Sequence, residues 1–329
     1  MIGVVGSGSW ATAIVKILLE DEQQRVRWWV RSNEVCESLR CRGVNPRHLS
    51  TLQLDESRLM PSTKLEQVVT DCETIFVAVP SAYVERVLTQ LPKDSYAGKR
   101  IASLVKGTLP GQLKSVSMFL EQDLGIDRDH ICVVSGPSHA EEVACSMPTF
   151  LAVASRCPKL AADIEQMLQC SYIHTSHNTD IDGVELCGLG KNIYAIAAGM
   201  CQGLGYGDNL NAVLATAAFR EMRTLLLRNI PDEERDLAQP CYMGDLMVTC
   251  WSQHSRNRAL GVAVALGKTV EEAFSNMGTV AEGYYSVQSL HLLGEREGFE
   301  APVAEAVYRV LYEKSEPRKE IEYLIAHVF

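Results

Sequence analysis

Lys191 is the side chain of this sequence with the clearest capacity for chemistry, because of what surrounds it. Over Glu185 to Met200, ELCGLGKNIYAIAAGM, a helical turn of about 100° per residue sets Leu189, Ile193, Ile196 and Met200 along one stripe. Cys187, Gly188, Ala195 and Ala198 then gather around Lys191 on the other side. An ammonium enclosed by small side chains is desolvated, which lowers its pKa and suits it to exchange a proton with a hydroxyl or carbonyl oxygen. A buried structural salt bridge would use the same residue, and the sequence alone permits both readings. Asn192 is placed to orient the lysine or a substrate oxygen.

A second concentration of polar groups lies at Gly244 to Arg258, GDLMVTCWSQHSRNR, inside an otherwise apolar region. Asp245 and Thr249 are four apart and share a face if the segment is helical. Ser255-Arg256-Asn257 directly precedes the apolar run ALGVAVAL. Ser255 can cap the following helix, whose free N–H groups and positive dipole end attract an anion, and Arg256 adds a charged fork. This is the construction of a phosphate seat; taken alone, it is also that of a polar turn between helices.

Nucleotide chemistry is suggested at the other end of the chain. Ile2 to Val5 leads into Gly6-Ser7-Gly8-Ser9-Trp10-Ala11 and then a helical apolar pattern, which is GxGxxA between a first strand and a helix. Gly6 permits a tight turn, Gly8 lets a pyrophosphate approach the backbone, and Ala11 allows close helix–strand packing. The second strand, read over Arg25 to Val30, ends at Arg31, where an acidic side chain would select NAD. A guanidinium there accommodates a ribose 2′-phosphate, so NADP is favoured or permitted beside NAD. Glu34 would take the acidic role if the strand ended one turn later. Lys106 follows the apolar stretch Ile101 to Val105, and Ser135 to Ala140, SGPSHA, follows Ile131 to Val134. Both occupy strand ends where ligands collect in doubly wound sheets.

The elements that must position these groups fall into two textures. IGVVGSG, VRWWV, TIFVAVP, RIASLVKG and ICVVSGP alternate with helical patterns, the rhythm of parallel βαβ units, and FLAVAS (150–155) adds another strand before a helix near Leu160 to Leu168. From Glu185 the pattern is helical throughout, with TVEE at 269–272 forming a capping box. The expected architecture is an α/β, Rossmann-like doubly wound sheet followed by an all-α domain. We set the dinucleotide-binding domain at 1–183 and the helical substrate-binding and catalytic domain at 184–329.

Composition narrows the partners. The chain has 329 residues, with 31 basic against 41 acidic side chains and a formal charge of −10, which argues against nucleic acid or an anionic membrane surface as a partner. The 11 cysteines contain no CxxC and read as reduced thiols of a cytoplasmic protein. No basic leader precedes the first strand, and no run approaches the roughly 20 apolar residues of a membrane span. His139, His174, His177 and His254 lack metal-ligand spacing, so no metal is expected.

Taken in order, the blocks GSGSWATA, WVR, FVAVPS, SLVKG, GPSHA, EL, GKN with AIAAG, GLGYGDN, GDLMVTC, SRNR and AEG resemble those of the bacterial-type NAD(P)-dependent glycerol-3-phosphate dehydrogenases, and they span almost the whole chain. The resemblance implies reversible reduction of dihydroxyacetone phosphate to sn-glycerol 3-phosphate, which feeds glycerophospholipid synthesis, and a homodimer. Lys191 matches the family's catalytic lysine. The same resemblance places Lys106, Gly136, Ser138, Lys191, Asp245, Ser255, Arg256 and Asn257 at the substrate. At the cofactor it places Gly6, Gly8, Ser9, Trp10, Arg31, His48, Lys106, Ala140, Arg256, Val280 and Glu282. Three departures stand out: GLGKN for the common GALKN, which brings in Gly190; SHA for SFA, which brings in His139; and TAAF at 216–219, with Ala217-Ala218 where an arginine-glycine pair is frequent. Two rivals stay open, a related two-domain hydroxyacid dehydrogenase and a non-catalytic nicotinamide-nucleotide sensor.

Overall fold

Short apolar runs without polar alternation form strands buried on both faces, and the sequence supplies them at regular intervals. The computed structural model describes residues 1–110, 112, 114–232, 234–277 and 281–329. By internal contacts the chain divides into two units: one of residues 1–105 and 116–181, the other of residues 106–115 and 182–329.

The first unit alternates β1 (Ile2–Val5), α1 (Ser9–Leu18), β2 (Val26–Trp29), α2 (Asn33–Arg42), β3 (Leu59–Ser62), α3 (Leu65–Asp71), β4 (Thr74–Val77), α4 (Ser81–Leu88) and β5 (Arg100–Ser103). It continues with α5 (Val116–Gln122), β6 (Ile131–Ser135), α6 (Ala140–Ala144), β7 (Thr149–Ser155), α7 (Pro158–Leu168) and β8 (Ile173–Asn178). One eight-stranded sheet results, in the order β3-β2-β1-β4-β5-β6-β7-β8. All neighbouring pairs are parallel except β6–β7. Their short connection through α6 turns the chain back on itself, and α7 then makes the crossover that sets β8 parallel to β7. This is the expected doubly wound sheet, with its topological switch point between β1 and β4. The core on one face packs Ile14, Leu18, Trp28, Phe76 and Val134 together, all nearly or wholly enclosed.

Two strands escape the sequence reading. β3 is LMPS, and Pro61 sits in it without disrupting pairing because β3 is the edge strand beside β2. β8, IHTSHN, is the opposite edge and largely polar, with His174 stacked on Phe150 of β7 at 5.1 Å.

The second unit is helical: α8 (Ile181–Gly203), α9 (Asp208–Asn229), α10 (Asp245–Trp251), α11 (Arg256–Ala265), α12 (Val270–Met277), α13 (Glu282–Glu297), α14 (Pro302–Tyr312) and α15 (Pro317–His327). The capping box forms as read: Thr269 N–H donates to Glu272 Oε2 at 2.8 Å, and Glu272 N–H to Thr269 Oγ1 at 3.2 Å. Among the described residues, no helix is long and apolar enough to cross a membrane.

The reading that Lys191 lies off any solvated face holds for α8 as a whole. Nearly every residue from Ile181 to Cys201 is buried, so there is no solvated side against which to contrast an apolar stripe. Its neighbours approach to backbone distance. A Cβ on Gly199 would lie 2.0 Å from the Arg258 carbonyl oxygen, and one on Gly261 of α11 would lie 2.0 Å from that of Ile196. Small residues are therefore demanded by helix contact, not by the lysine alone. Gly199→Ala or Gly261→Ala is expected to destabilise the protein by about 1–3 kcal/mol or more through overpacking. Gly207→Ala, where a Cβ meets nothing within 4 Å, should cost less, no more than about 1 kcal/mol for the poorer N-cap of α9. Shifts of the urea midpoint measure the difference, and equal shifts would refute the close-contact account.

Candidate active site

In the first unit, β1 delivers the chain into the glycine turn at the switch point. Gly6 has φ +132°, and a Cβ there would lie 2.4 Å from the Ala78 carbonyl oxygen, so both conformation and space require glycine. Gly8 is different. It is the N-cap of α1 in an extended conformation (φ −78°), it brings no side-chain cap, and a Cβ on it would meet nothing within 4 Å. No protein contact explains that glycine, and the N–H groups of the first turn of α1 are open to an anion. These features fit a nucleotide pyrophosphate. Ser9 begins α1, and its Oγ lies 3.4 Å from His48 Nδ1, which brings His48 to the same helix end. Trp10 packs on the core, and its indole N–H is buried without a hydrogen-bond partner.

Arg31 follows β2 and is exposed, with no ion pair among the described residues. Glu34, the alternative acidic group, lies in the first turn of α2 and is bound to Arg47. On the other side of the sheet, Gly136 follows β6 with φ +131°, and a Cβ there would lie 2.5 Å from the Phe150 carbonyl oxygen. Ser138 Oγ donates to the Gly136 carbonyl at 2.9 Å, and Ala140 opens α6 after His139.

In the second unit the charged residues converge. Lys191 on α8 is 4 % exposed and Asp245 at the start of α10 is 1 % exposed. Lys191 Nζ donates to Asp245 Oδ1 at 2.5 Å and to Thr249 Oγ1 at 3.2 Å. Thr249 Oγ1 in turn donates to the Asp245 carbonyl at 2.6 Å, so the shared face of α10 foreseen for these two residues serves one lysine. Lys106 Nζ reaches Asp245 Oδ2 at 3.1 Å. One carboxylate thus sits between two ammoniums. Burial pushes the Asp245 carboxyl up, but Lys106 and Lys191 outweigh it and hold the group below the usual carboxylate range. For Lys191 burial dominates; Asp245 opposes it, Lys106 reinforces it, and the ammonium is brought down to about 7.

Asn192 does not orient Lys191, the first of the two roles read for it. Its Nδ2 donates to the Lys106 carbonyl at 2.7 Å, and its Oδ1 accepts from Asn257 Nδ2 at 2.9 Å. Asn257 Oδ1 then accepts from Gly283 N–H on α13 at 2.9 Å. This chain of amides ties the 106–115 segment, α8, α11 and α13 together, and fixes Asn257 as a structural joint as well as a site candidate. Ser255 caps α11 as foreseen, its Oγ accepting from Arg258 N–H at 3.2 Å. The first amides of α11 lack intrahelical partners, as at any helix start. Arg256, the first residue of α11, is exposed beside them with no ion pair among the described residues. Glu282 opens α13, next to Gly283. Val280 lies outside the described residues.

Within the helical unit, then, Lys106, Lys191, Asp245, Thr249, Asn192 and Asn257 form one connected polar network, with Ser255 and Arg256 adjoining it through the turn before α11. Thr249 and the amide chain carried only weak signals in the sequence, since threonine and asparagine are common at helix ends and turns.

Comparison with known proteins identifies the family. Residues 1–161 match the N-terminus, and residues 180–322 the C-terminus, of NAD-dependent glycerol-3-phosphate dehydrogenase. The chain is 37 % identical over 325 residues to glycerol-3-phosphate dehydrogenase (NAD(P)+) 2 of Salinibacter ruber, covering 98 % of this chain and 94 % of that protein. It is 34 % identical over 324 residues to glycerol-3-phosphate dehydrogenase (NAD(P)+) of Clostridium botulinum, covering 98 % and 96 %. The crystal structure of glycerol-3-phosphate dehydrogenase from Coxiella burnetii superposes with a TM-score of 0.92 at 33 % identity, covering 98 % of each chain. The chain therefore belongs to the NAD(P)-dependent glycerol-3-phosphate dehydrogenase family of oxidoreductases.

Proposed function

We propose that this protein catalyses the reversible NAD(P)H-dependent reduction of dihydroxyacetone phosphate to sn-glycerol 3-phosphate, with Lys191 as proton donor and, in reverse, proton acceptor. The observation that carries the reading is the enclosed ammonium of Lys191, held at 2.5 Å by Asp245 and set by its surroundings at about 7, where it can give or take a proton. The nicotinamide, when bound, supplies or accepts the hydride. Asp245 and Thr249 fix the direction of the lysine Nζ–H bonds, and Lys106 adds positive charge beside the oxygen that becomes negative as the carbonyl is reduced.

The substrate phosphate is assigned to the start of α11. Ser255, Arg256 and Asn257 provide a capped helix N-terminus and a guanidinium, and Gly136 and Ser138 are assigned to the substrate with them. The nucleotide is assigned to the glycine turn: Gly6 shapes it, Gly8 and the first amides of α1 receive the pyrophosphate, and Ser9, Trp10 and His48 line the same helix end. Arg31, Lys106, Ala140, Arg256, Val280 and Glu282 complete the cofactor set. With Glu34 engaged by Arg47, Arg31 is the charged group left for a 2′-phosphate, which favours NADP without excluding NAD. In this reading residues 1–183 carry the cofactor residues other than Arg256, Val280 and Glu282, and residues 184–329 carry the proton donor and phosphate seat. The product is a glycerophospholipid precursor made in the cytoplasm, and the enzyme works as a homodimer.

Parallel turnover assays with NADPH and NADH, on dihydroxyacetone phosphate and on unphosphorylated dihydroxyacetone, test the reaction. The phosphorylated ketone should be strongly preferred. Arg256→Ala should raise its KM about 10-fold or more, a loss of ~1.4 kcal/mol or more, with a much smaller effect on the KM for dihydroxyacetone. Equal efficiency on both ketones would reject the proposal.

Lys191→Ala should lower kcat by about 10²–10⁴-fold with nucleotide affinity preserved. The pH dependence has a definite sign. Reduction needs the protonated lysine and should weaken as pH rises through about 7, whereas alcohol oxidation needs the neutral amine and should strengthen over the same range. Profiles of kcat in the two directions that run in parallel, or a Lys191→Ala variant with normal kcat, would remove Lys191 from the proton transfer.

A further inference from the structure

The helical unit contains a cavity that the proposed reaction does not use. It has a volume of about 170 Å³, and its walls include Tyr194, Asp208, Asn211, Ala218, Trp251 and Arg258. That is room for several waters or one small molecule. Helix geometry separates it from the phosphate seat. Arg258 is two residues beyond Arg256, about 200° around α11, so the two guanidiniums leave opposite faces of the helix.

The polar groups of this cavity are incomplete in a specific way. The Tyr194 hydroxyl is fully enclosed and directed at the buried Glu221 carboxyl, whereas Asn211 Oδ1 is buried and accepts no hydrogen bond. Native proteins rarely leave such atoms without a protein or water partner. Asp208 and Asn211 are three apart in the first turn of α9, so their acceptors share one face. The Arg258 guanidinium comes from a different helix, and its one hydrogen bond among the described residues is a 3.4 Å contact with the Ser252 carbonyl. Arg258 and Asp208 line the same cavity and form no ion pair with each other among the described residues. A ligand matching these walls has an anionic group for the guanidinium, a cationic donor for the two acceptors, and little bulk against Ala218.

We propose that this cavity binds a small α-amino acid, with its carboxylate on Arg258, its ammonium on Asp208 and Asn211, and a short aliphatic side chain against Ala218 and Trp251. Opposite charges held on separate helices select a zwitterion over either charge alone. The cavity shares no lining residue with the Lys106, Asp245 and Lys191 cluster.

Calorimetric titration of the full chain tests this with L-alanine and L-valine. Isovalerate, which is valine without its ammonium, and isobutylamine, which is valine without its carboxylate, serve as comparators. At least one amino acid should bind saturably, with both comparators weaker by about 10-fold or more. Arg258→Gln and Asp208→Asn should each weaken that binding by about 10-fold or more, and Ala218→Leu should abolish it by filling the cavity. All three should keep the KM for dihydroxyacetone phosphate. Absence of binding by both amino acids, equal binding of isovalerate, or wild-type affinity in Arg258→Gln and Asp208→Asn would overturn the proposal. The two charge variants decide the matter even if Ala218→Leu fails to fold. Heat of binding is read without turnover, so failure here leaves the proposed reaction standing.

Discussion

A single buried carboxylate bonded to two ammoniums is the constraint around which the helical unit is built. Leaving any one of Lys106, Asp245 or Lys191 uncompensated in this interior would cost several kcal/mol. Together they balance: Asp245 stays ionised because two cations face it, and Lys191 stays poised because burial works against its charge while Asp245 works for it. The same arrangement explains why Lys191 need not be either a structural ion pair or an acid–base group. It is an ion pair whose cost in desolvation is what brings its proton into a usable range.

Such a cluster is useful only if the segments bearing it are held to a fraction of an ångström. Two devices do this. Glycines on α8 and α11 allow backbone contact, so the helix carrying Lys191 and the helix opening at Ser255 cannot slide without collision. The amide chain from the Lys106 carbonyl through Asn192 and Asn257 to Gly283 N–H joins four segments by directional bonds. A Cβ on Gly283 would lie 2.6 Å from the Asn192 carbonyl oxygen, so glycine is needed at that joint as well. Dispersion and apolar burial hold the helices together, while these polar and steric contacts select their register.

What the sequence made legible follows from range. Local signals were readable: the glycine turn after β1, the Ser255 cap and the Thr269–Glu272 capping box all act within a few residues, and each forms as read. The parallel sheet was readable because strands covered on both faces must be continuously apolar, as β1 and β4 are. Edge strands were not, since β3 and β8 satisfy only one neighbour and tolerate Pro61 and polar side chains. Lys191 was legible as an enclosed ammonium, but the close packing of Gly199 against α11 was not, because it depends on a helix far along the chain. The bonds of Asn192 to Lys106 and Asn257 were not legible either, because they join positions 86 and 65 residues apart.

Of the three departures read in the sequence, His139 lies before α6 in the first unit, and the other two lie beside this arrangement. A Cβ on Gly190 would lie 3.2 Å from the Tyr194 ring, so that glycine makes room for the aromatic side chain one turn later. Ala217 and Ala218 are buried in α9, and Ala218 faces the same cavity as Tyr194. None of the three touches Lys106, Asp245 or Lys191 in the bonds that define the charged cluster. Helix α8 thus carries two environments within a single turn. At Lys191 every partner is specified by charge balance, and replacing one would leave a buried ion unpaired. At Tyr194 the neighbours contribute volume and hydrogen-bonding capacity, which can change without that penalty. Substitutions beside Tyr194 are therefore less costly than substitutions beside Lys191, because unpaired buried charge costs more than repacked apolar volume.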